Sequence, residues 1–541
     1  MPRPLRLLIV GLDGADYYTM RAWIESASLP HLADLMRKGC LLRCDSVRPP
    51  LTAPAWMTAL TGCNPAKHGV YDFMDFSYPE RQPWWSLPVP CPDLFEGLSR
   101  ASLHPGGLNV PMMYPARESH GVMVSGFGCP KLDEDAFYPR SLRPELLAAV
   151  PDYALHPELE RLAGRDPDQL EAFVEMRGRA AAYLLTHHDL DVFMVVFGAL
   201  DWAGHGRASD GPRADGVPFR IARALDREVG RLVSLTDWPK TPVMLLSDHG
   251  MRCARRQINL YKLLINLGLL EVRWAPDTSP GRRLATSAVL SLWNVLKRAL
   301  PTGLANRLFL RGDKARSRVL ERASSMEIDF ASTTAYPAGA YGSLRLSLQG
   351  REPNGKIAPT DRETVLHEVI ERLRETCDAA GRPLFSEVLA RDEVYRGPLL
   401  DRGPDIVLTP AADDMALGMA AVESQIVLFM RQPALVTPLV PVWGVHSTNA
   451  ILAISGDPVA TEHGSQCRLQ DFTPTALHLL GLPVPSYMDG RVLTECLAGE
   501  PAARPVNIVE ESLPAAYRLD VAVSEGDAAI LEERLRALGY L

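Results

Sequence analysis

Short and almost wholly apolar runs of strand length recur along this chain, and several of them end in aspartate, serine or glycine. They are Leu7–Leu12, Val192–Phe197, Val243–Leu246, Ile406–Leu408 and Ile451–Ile454. Runs without polar alternation suit strands that are buried on both faces of a largely parallel sheet. Segments with helical periodicity lie between them, as in residues 170–185, 221–232 and 365–373. Alternating strands and helices predict a layered α/β fold.

The composition restricts the classes of protein to which the chain can belong. Of its 541 residues, 47% are hydrophobic and 23% are charged, which is typical of a soluble globular protein. The formal net charge of -8 argues against a dedicated nucleic-acid surface, so we expect no nucleic-acid polymer as a partner. No stretch is long and apolar enough to span a membrane. The nine cysteines contain no C-x-x-C pair and predict reduced thiols in a cytoplasmic protein.

The length allows several domains, but one large core with insertions is the interpretation that we prefer. We predict a catalytic domain over residues 1–499, with insertions at about 74–165 and 262–335. The first insertion is rich in proline and aromatic residues, and the second contains basic residues with mixed helix signals. Residues 500–541 are predicted to form a Pro/Ala linker and a terminal helix with leucines on one face.

Three aspartates, Asp13, Asp201 and Asp248, fall at the ends of predicted strands. In open sheets of this type, ligands bind beyond the carboxyl ends of the strands. His249 follows Asp248 directly, and His205 comes four residues after Asp201 in what we expect to be a glycine-containing turn. Carboxylate and imidazole are the ligands that zinc or manganese takes when no thiolate is offered. A single histidine is more often a core or surface residue, but the joint placement at strand ends favours a metal site.

Two further residues complete this candidate site. His446 follows Trp443-Gly444, a sharp turn that could expose its ring. Thr52 lies where a loop runs into a helix with Pro54 in its first turn, so it is the natural N-cap, and taken alone it would be only a cap. The same helix start would also hold a phosphoryl group under attack by Thr52. Because a metal-bound hydroxyl becomes a nucleophile near neutral pH, the set predicts a hydrolase or transferase acting on an electrophilic oxyester.

Sequence motifs spread from about residue 6 to residue 495 match one known family. They are Gly11-Leu12-Asp13-Gly14-Ala15, Pro49-Pro50-Leu51-Thr52-Ala53-Pro54-Ala55-Trp56, Asn64-Pro65-Ala66-Lys67-His68-Gly69, Ser247-Asp248-His249-Gly250, Gly350-Arg351-Glu352-Pro353-Asn354-Gly355, His446 with Asn449, and Met488-Asp489-Gly490-Arg491. Together they resemble the alkaline phosphatase superfamily, in particular the bacterial predicted phosphohydrolases and phosphomutases of its type I phosphodiesterase/nucleotide pyrophosphatase branch. The resemblance implies a three-layer αβα sandwich with a largely parallel central sheet and inserted cap segments.

The resemblance also implies an activity and a set of ligands. It implies a hydrolase that cleaves small-molecule phosphate esters, of the phosphodiester or pyrophosphate type, through a phosphothreonine on Thr52. Two divalent ions, zinc or manganese, would be held by two sets of residues: Asp201, His205 and His446 for one, and Asp13, Asp248, His249 and the Thr52 hydroxyl for the other.

The chain departs from the family near residue 72. Related nucleotide pyrophosphatases carry an asparagine about twenty residues after the nucleophile, whereas Tyr71–Asp75 contains none, so the side chain that stabilises the phosphoryl oxygens is unassigned. Lys67, Arg255 and Arg256 are candidates because cations stabilise such oxygens, although solvated surface charge is the more common role. We expect His68 to orient the loop rather than to bind metal.

Two alternatives stay open at this stage. A phosphomutase would use the same site, and a second hydroxyl of a sugar phosphate would then take the phosphoryl group instead of water. A non-catalytic scaffold would keep the fold and the metals while its terminal helix binds a partner. The intact set of ligands speaks against the scaffold, because a degenerate relative is expected to lose some of them.

Overall fold

The computed structural model describes residues 4–77, 81–156, 166–207, 216–274, 326–339, 341–418, 434–461, 466–514 and 525–538. The strands within these ranges are β1 (Leu7–Leu12), β2 (Gly39–Asp45), β3 (Pro105–Val110), β4 (Val122–Ser125), β5 (Phe137–Tyr138), β6 (Val192–Phe197), β7 (Val243–Leu246), β8 (Gly250–Asn259), β9 (Val272–Trp274), β10 (Met326–Ile328), β11 (Ala335–Pro337), β12 (Ser343–Leu346), β13 (Phe385–Ala390), β14 (Ile406–Pro410), β15 (Met415–Gly418), β16 (Val436–Ser447), β17 (Asn449–Ser455), β18 (Gln466–Arg468), β19 (Val484–Pro485) and β20 (Ile508–Val509).

The α-helices of the same ranges are α1 (Tyr17–Glu25), α2 (Pro30–Arg37), α3 (Thr52–Thr61), α4 (Pro65–His68), α5 (Leu94–Arg100), α6 (Leu142–Ala149), α7 (Pro167–His187), α8 (Ala199–Arg207), α9 (Val217–Ser234), α10 (Leu260–Asn266), α11 (Arg362–Arg374), α12 (Arg391–Val394), α13 (Phe472–Leu479), α14 (Gly499–Ala503) and α15 (Glu525–Leu538). None of the described helices has the length and hydropathy needed to cross a membrane.

Nine strands form the central sheet, in the order β18-β2-β17-β7-β1-β6-β3-β4-β5. The strands from β7 to β4 in this order pair in parallel, whereas β17 runs antiparallel to both of its neighbours. Every residue of β1, β6 and β7 is buried, which explains why these sequences show no polar alternation. Helices cover both sides of the sheet, so the predicted three-layer αβα fold is confirmed.

One predicted strand lies in a different sheet. Ile406–Leu408 belongs to β14, within a four-stranded sheet of order β11-β12-β14-β13, and all the strand pairs of this sheet are antiparallel. Its side chains pack in a second hydrophobic cluster together with residues of α10 and α11. A short apolar run is compatible with either kind of sheet, and only the long-range packing decides which one it joins.

The structure describes the two predicted insertions to different extents. The segment 74–165 contains β3, β4 and β5, so part of it belongs to the central sheet. Most of the segment 262–335 lies outside the described residues. The domain limits themselves remain a prediction.

The chain after residue 499 contains α14, β20 and α15. Leu531 and Leu535 of α15 are fully buried and belong to the main hydrophobic core. An ion pair of 3.0 Å between Lys131 Nζ and Asp527 Oδ1 links the same helix to the chain segment around Lys131. The apolar face predicted for the terminal helix therefore packs against this chain's own core.

Candidate active site

The carboxyl ends of β1 and β7, which are parallel neighbours, bring Asp13 and Asp248 together. Gly14 follows with φ +74° and passes so close to α8 that a Cβ on it would lie 2.8 Å from the Cα of Asp201. Its N–H donates to Asp248 Oδ1 at 3.3 Å. Glycine at this position therefore lets three buried carboxylates converge.

Asp201 and His205 lie one turn apart on α8, and the glycine-containing turn expected there is wrong. Residues four apart on a helix share a face, and His205 Nε2 lies 3.3 Å from Asp201 Oδ1. Strand β16 packs closely against this helix, since a Cβ on Gly444 would lie 2.3 Å from the carbonyl oxygen of Gly204. This contact allows His446 Nε2 to approach His205 Nε2 to 2.9 Å.

His446 is buried within β16, so the expectation that a turn exposes it is wrong. Its ring stacks on that of His249 with centroids 3.5 Å apart. Its Nδ1 lies 2.8 Å from the carbonyl oxygen of Pro50, and His205 Nδ1 lies 2.9 Å from that of Gly444. A carbonyl oxygen only accepts, so Nδ1 carries a proton in both rings. The two Nε2 atoms therefore face each other, and when both are unprotonated a cation between them would stabilise this arrangement.

Thr52 is the first residue of α3 and not its N-cap. The N-cap is Leu51, which makes no side-chain capping bond. Thr52 Oγ1 lies 3.1 Å from Nε2 of His249, whose Nδ1 faces the carbonyl oxygen of the next residue at 3.1 Å, so the threonine hydroxyl donates. The same Nε2 lies 3.2 Å from Asp248 Oδ2 and 3.8 Å from Asp13 Oδ1. The hydroxyl thus points into the acidic cluster instead of capping the helix.

Two overlapping groups of ligand atoms result, and all atoms of each group lie within 4.8 Å of one another: Asp201, His205 and His446 in one, and Asp13, Asp201 and His249 in the other. Asp201 belongs to both groups, whereas the sequence-based assignment gave it to the first alone. Asp248 adjoins the second group through its contact with His249. All seven predicted site residues are therefore brought together.

The carboxylates and imidazoles of the centre are buried and lie close to one another, and this shifts the pKa values of several of them. Burial and repulsion from neighbouring carboxylates raise the pKa of Asp13 and of Asp248. Burial lowers the pKa of His249 and of His446, which favours neutral rings. Burial opposes ionisation of Asp201 as well, but the imidazoles of His205 and His446 hold its pKa well below the ordinary value.

The donor set fits divalent cations. Asp13 Oδ1 and Asp248 Oδ2 are buried and accept no hydrogen bond from the described part of the chain. An ionised oxygen buried in this way costs several kcal/mol unless a positive charge compensates it. Carboxylate oxygens and imidazole nitrogens without a thiolate are ligands that zinc and manganese accept. The residues present are thus suited to hold such ions.

The three cations considered as stabilisers of phosphoryl oxygens are engaged elsewhere or exposed. Lys67 Nζ pairs with Asp489 Oδ1 at 2.7 Å, and Arg256 Nη2 pairs with Asp414 Oδ1 at 2.6 Å. Arg255 is exposed. Surface charge is therefore the better interpretation of all three.

Two residues beside the centre were missed by the sequence analysis. Tyr341 stacks on His446, with ring centroids 4.8 Å apart. Arg252 lies on β8 three residues after His249 and next to Met251, which pairs with His446. The short spacing from the Ser247–Gly250 motif was the available signal for Arg252. Nothing in the sequence around Tyr341 indicates its place.

Comparison with known proteins identifies a family that this chain matches. The model of the family described as type I phosphodiesterase / nucleotide pyrophosphatase matches residues 7–421. No curated protein matches the sequence. The fold is similar to that of phosphonoacetate hydrolase from Sinorhizobium meliloti 1021, with a TM-score of 0.50 and 17% identity over 84% of this chain and 90% of the other. It is also similar to the alkaline phosphatase PafA, with a TM-score of 0.51 and 13% identity over 92% of this chain and 100% of the other.

Proposed function

The chain belongs to the type I phosphodiesterase/nucleotide pyrophosphatase family of the alkaline phosphatase superfamily, and we propose that it cleaves phosphodiester or pyrophosphate-type bonds of small molecules with Thr52 as the nucleophile. At the level of the family it is a hydrolase that acts on phosphate esters. The observation that carries the finer proposal is the position of Thr52 Oγ1, 3.1 Å from an unprotonated imidazole nitrogen and among buried carboxylates.

The reaction proposed for Thr52 has two steps. A bond forms between Oγ1 and phosphorus while the bond from phosphorus to the leaving oxygen breaks, and that oxygen takes up a proton. Water then attacks phosphorus, the bond to Oγ1 breaks, and the threonine hydroxyl regains its proton. One water molecule is consumed for each ester bond cleaved.

The surroundings of Thr52 support this role. The start of α3 presents the positive end of the helix dipole to a phosphoryl group at Thr52. When bound, two zinc or manganese ions would lower the pKa of the hydroxyl and stabilise negative charge on the phosphoryl oxygens. Asp13, Asp248 and His249 would hold one ion and His205 and His446 the other, with Asp201 in reach of both.

Substitution of Thr52 tests the nucleophile. Thr52→Ala should lower the turnover of a chromogenic phosphodiester on the order of a thousandfold or more, as loss of other nucleophiles does. Thr52→Ser keeps a hydroxyl and should retain part of the rate. The loss of one hydrogen bond should cost only about 1 kcal/mol of stability, which thermal unfolding measures. Near-normal turnover by a folded Thr52→Ala variant would exclude this nucleophile.

Labelled water separates the hydrolase from the mutase. With a chromogenic phosphodiester in water enriched in heavy oxygen, we expect the label in the released phosphoryl product and no need for an added sugar phosphate. Turnover that requires a sugar phosphate, without incorporation of label, would establish the mutase instead. Elemental analysis of the same sample should find about two divalent ions per chain.

A further inference from the structure

A cavity of about 350 Å³ adjoins the candidate active site on the side of His446. Its walls come from β8, β14 and β16, and from residues 48–50 just before α3. Much of the wall is apolar, with Met251, Leu408 and Val445 among its residues. His446 belongs both to the candidate centre and to this wall, so the cavity offers space beside the centre into which a bound phosphate ester would extend.

Arg252 lines this cavity. It is half-buried, and its Nη1 donates to the carbonyl oxygens of Asp413 and Met415 at 2.5 and 2.6 Å. Among the described residues, its Nε and Nη2 find no hydrogen-bond acceptor, and the guanidinium forms no ion pair with a carboxylate. Burial lowers the pKa of this guanidinium, as expected for a cation withdrawn from water. Two of its nitrogens thus remain available to an anion.

Asp413 also lines the cavity, and its carboxylate and that of Asp414 attract the guanidinium of Arg252. Asp16 lies in the wall, but its carboxylate accepts from the amides of Tyr18 and Thr19 and from Ser447 Oγ. Arg48, the second cation of the wall, has its own partner, because its Nε lies 3.4 Å from an oxygen of Glu387.

The position of Arg252 suits a group beyond the scissile bond. Arg252 lies three positions after His249 along mostly extended chain, which spans about 10 Å. A guanidinium is a cation without a free lone pair, so Arg252 cannot replace a metal ligand of the centre. Tyr341 also lines the cavity, and its ring stacks on that of His446, which belongs both to the centre and to the cavity wall.

We propose that this cavity binds the leaving group of the substrate and that Arg252 recognises a second anionic group on it, a carboxylate or a phosphate. This inference rests on the proposed function, because it requires a phosphoryl group at Thr52. A guanidinium with two available nitrogens matches the two oxygens of an oxyanion. A cavity of this size accepts a small organic group. The substrate class is therefore a small phosphate ester whose leaving group is itself anionic.

Two matched substrates test the proposal. One is a methyl aryl phosphodiester whose phenol carries a carboxymethyl group, and the other carries the isosteric carbamoylmethyl group, so leaving-group reactivity is nearly the same. Wild-type enzyme should show a kcat/KM about tenfold or more higher for the carboxylate, as expected for a charge-assisted hydrogen bond. In Arg252→Met this ratio should fall to near one, and in Arg252→Lys it should be intermediate. Arg255→Met, on the same strand but exposed, should keep the wild-type ratio.

A ratio near one in wild type, or a full ratio in Arg252→Met, would overturn the proposal. If wild-type enzyme cleaves neither substrate, the proposed function fails. A binding measurement then tests separately whether Arg252 recognises an anionic group in the cavity. Calorimetric titration with the corresponding carboxymethyl and carbamoylmethyl aryl phosphonates should show about tenfold tighter binding of the carboxylate to wild type but not to Arg252→Met. Equal affinities, or no binding of either phosphonate, would contradict the assignment of Arg252.

Discussion

At the scale of single residues, the ring nitrogen that carries the proton determines which nitrogen of each histidine is available to a metal ion. His205, His249 and His446 all direct Nδ1 towards a backbone carbonyl oxygen, which leaves Nε2 as a lone pair facing the centre. Such outer hydrogen bonds fix the tautomer and the orientation of metal-binding histidines. The identity of the histidines could be predicted from their positions near strand ends. The carbonyl partners could not, because two of them come from distant parts of the chain.

His68 is a buried histidine with a structural role. Its Nε2 lies 3.0 Å from Thr58 Oγ1, and the amide of Val70 donates to its Nδ1 at 3.2 Å. The ring therefore connects α3 to the loop after α4, as expected for a residue that orients the loop. Burial lowers its pKa from 6.5 to about 3, so it stays neutral in the folded protein.

This shift predicts a pH dependence of stability. Between pH 6.5 and about 3 the unfolded state binds the proton at His68 and the folded state does not, so His68 makes the folded protein less stable as the pH falls through this window. The contribution is on the order of 1 kcal/mol per pH unit below 6.5. Denaturant unfolding at pH 7, 6 and 5 should therefore give a shallower pH dependence for His68→Gln than for wild type.

An exposed histidine provides the control for this slope. His187→Gln should leave the pH dependence as in wild type, because His187 lies on the surface at the end of α7. Equal slopes for wild type and His68→Gln would contradict the burial of a neutral His68. The lost hydrogen bonds will lower stability at every pH, so the slope is the decisive quantity.

The role of Arg252 could not be predicted from the sequence. The ligand residues were predictable because Asp and His near strand ends are chemically distinctive. An arginine is equally compatible with surface charge, an ion pair or an anion site. Only the packing of β8 against the segment around Asp413 shows that the guanidinium donates to backbone carbonyl oxygens there. The cavity and its ligand class therefore could not be predicted.

Among the secondary-structure elements, the approach of β16 to α8 determines whether the two histidines meet. The spacing of four residues between Asp201 and His205 was visible in the sequence, but the helix that makes it effective was not predicted. His446 was assigned to a turn, yet strand pairing with β8 holds it. Both errors concern local structure that long-range contacts decide.

Gly444→Ala tests this approach. The added Cβ would meet the carbonyl oxygen of Gly204 at 2.3 Å, so β16 must move away from α8 and His446 from His205. We expect a loss of about 1 to 3 kcal/mol of stability together with reduced bound metal and turnover. Gly97→Ala, where a Cβ meets nothing within 4 Å, should keep metal and turnover and leave stability the same or up to about 1 kcal/mol higher. Unchanged metal content and turnover in Gly444→Ala would contradict this role of the contact.

For the molecule as a whole, the terminal helix is part of the main core. The αβα architecture was predictable, because runs buried on both faces require helices on both sides of the sheet. Where α15 docks was not predictable, since an amphipathic helix is compatible with an external partner as well as with its own chain. The burial of Leu531 and Leu535 speaks against the scaffold alternative, in which this face would be offered to a partner.

Neighbouring residues on α15 test the docking. Leu531→Ala should lower the free energy of unfolding by about 2 to 5 kcal/mol, because a fully buried leucine leaves a cavity. Ile530→Ala, at a side chain that is 41% exposed, should change it by less than about 0.5 kcal/mol. Chemical denaturation of both variants measures the difference. Similar small effects would show that the helix does not pack on the core in solution.

The covalent state of Thr52 during turnover is the most direct test of the central claim. Metal-loaded protein is mixed with a chromogenic phosphodiester, quenched in acid within milliseconds to seconds, digested and analysed by peptide mass spectrometry. The account predicts that the peptide containing residue 52 gains the mass of the transferred phosphoryl fragment, at Thr52 and in proportion to a burst of the released phenol. Steady turnover with neither burst nor adduct, at an undiminished rate in Thr52→Ala, would contradict it.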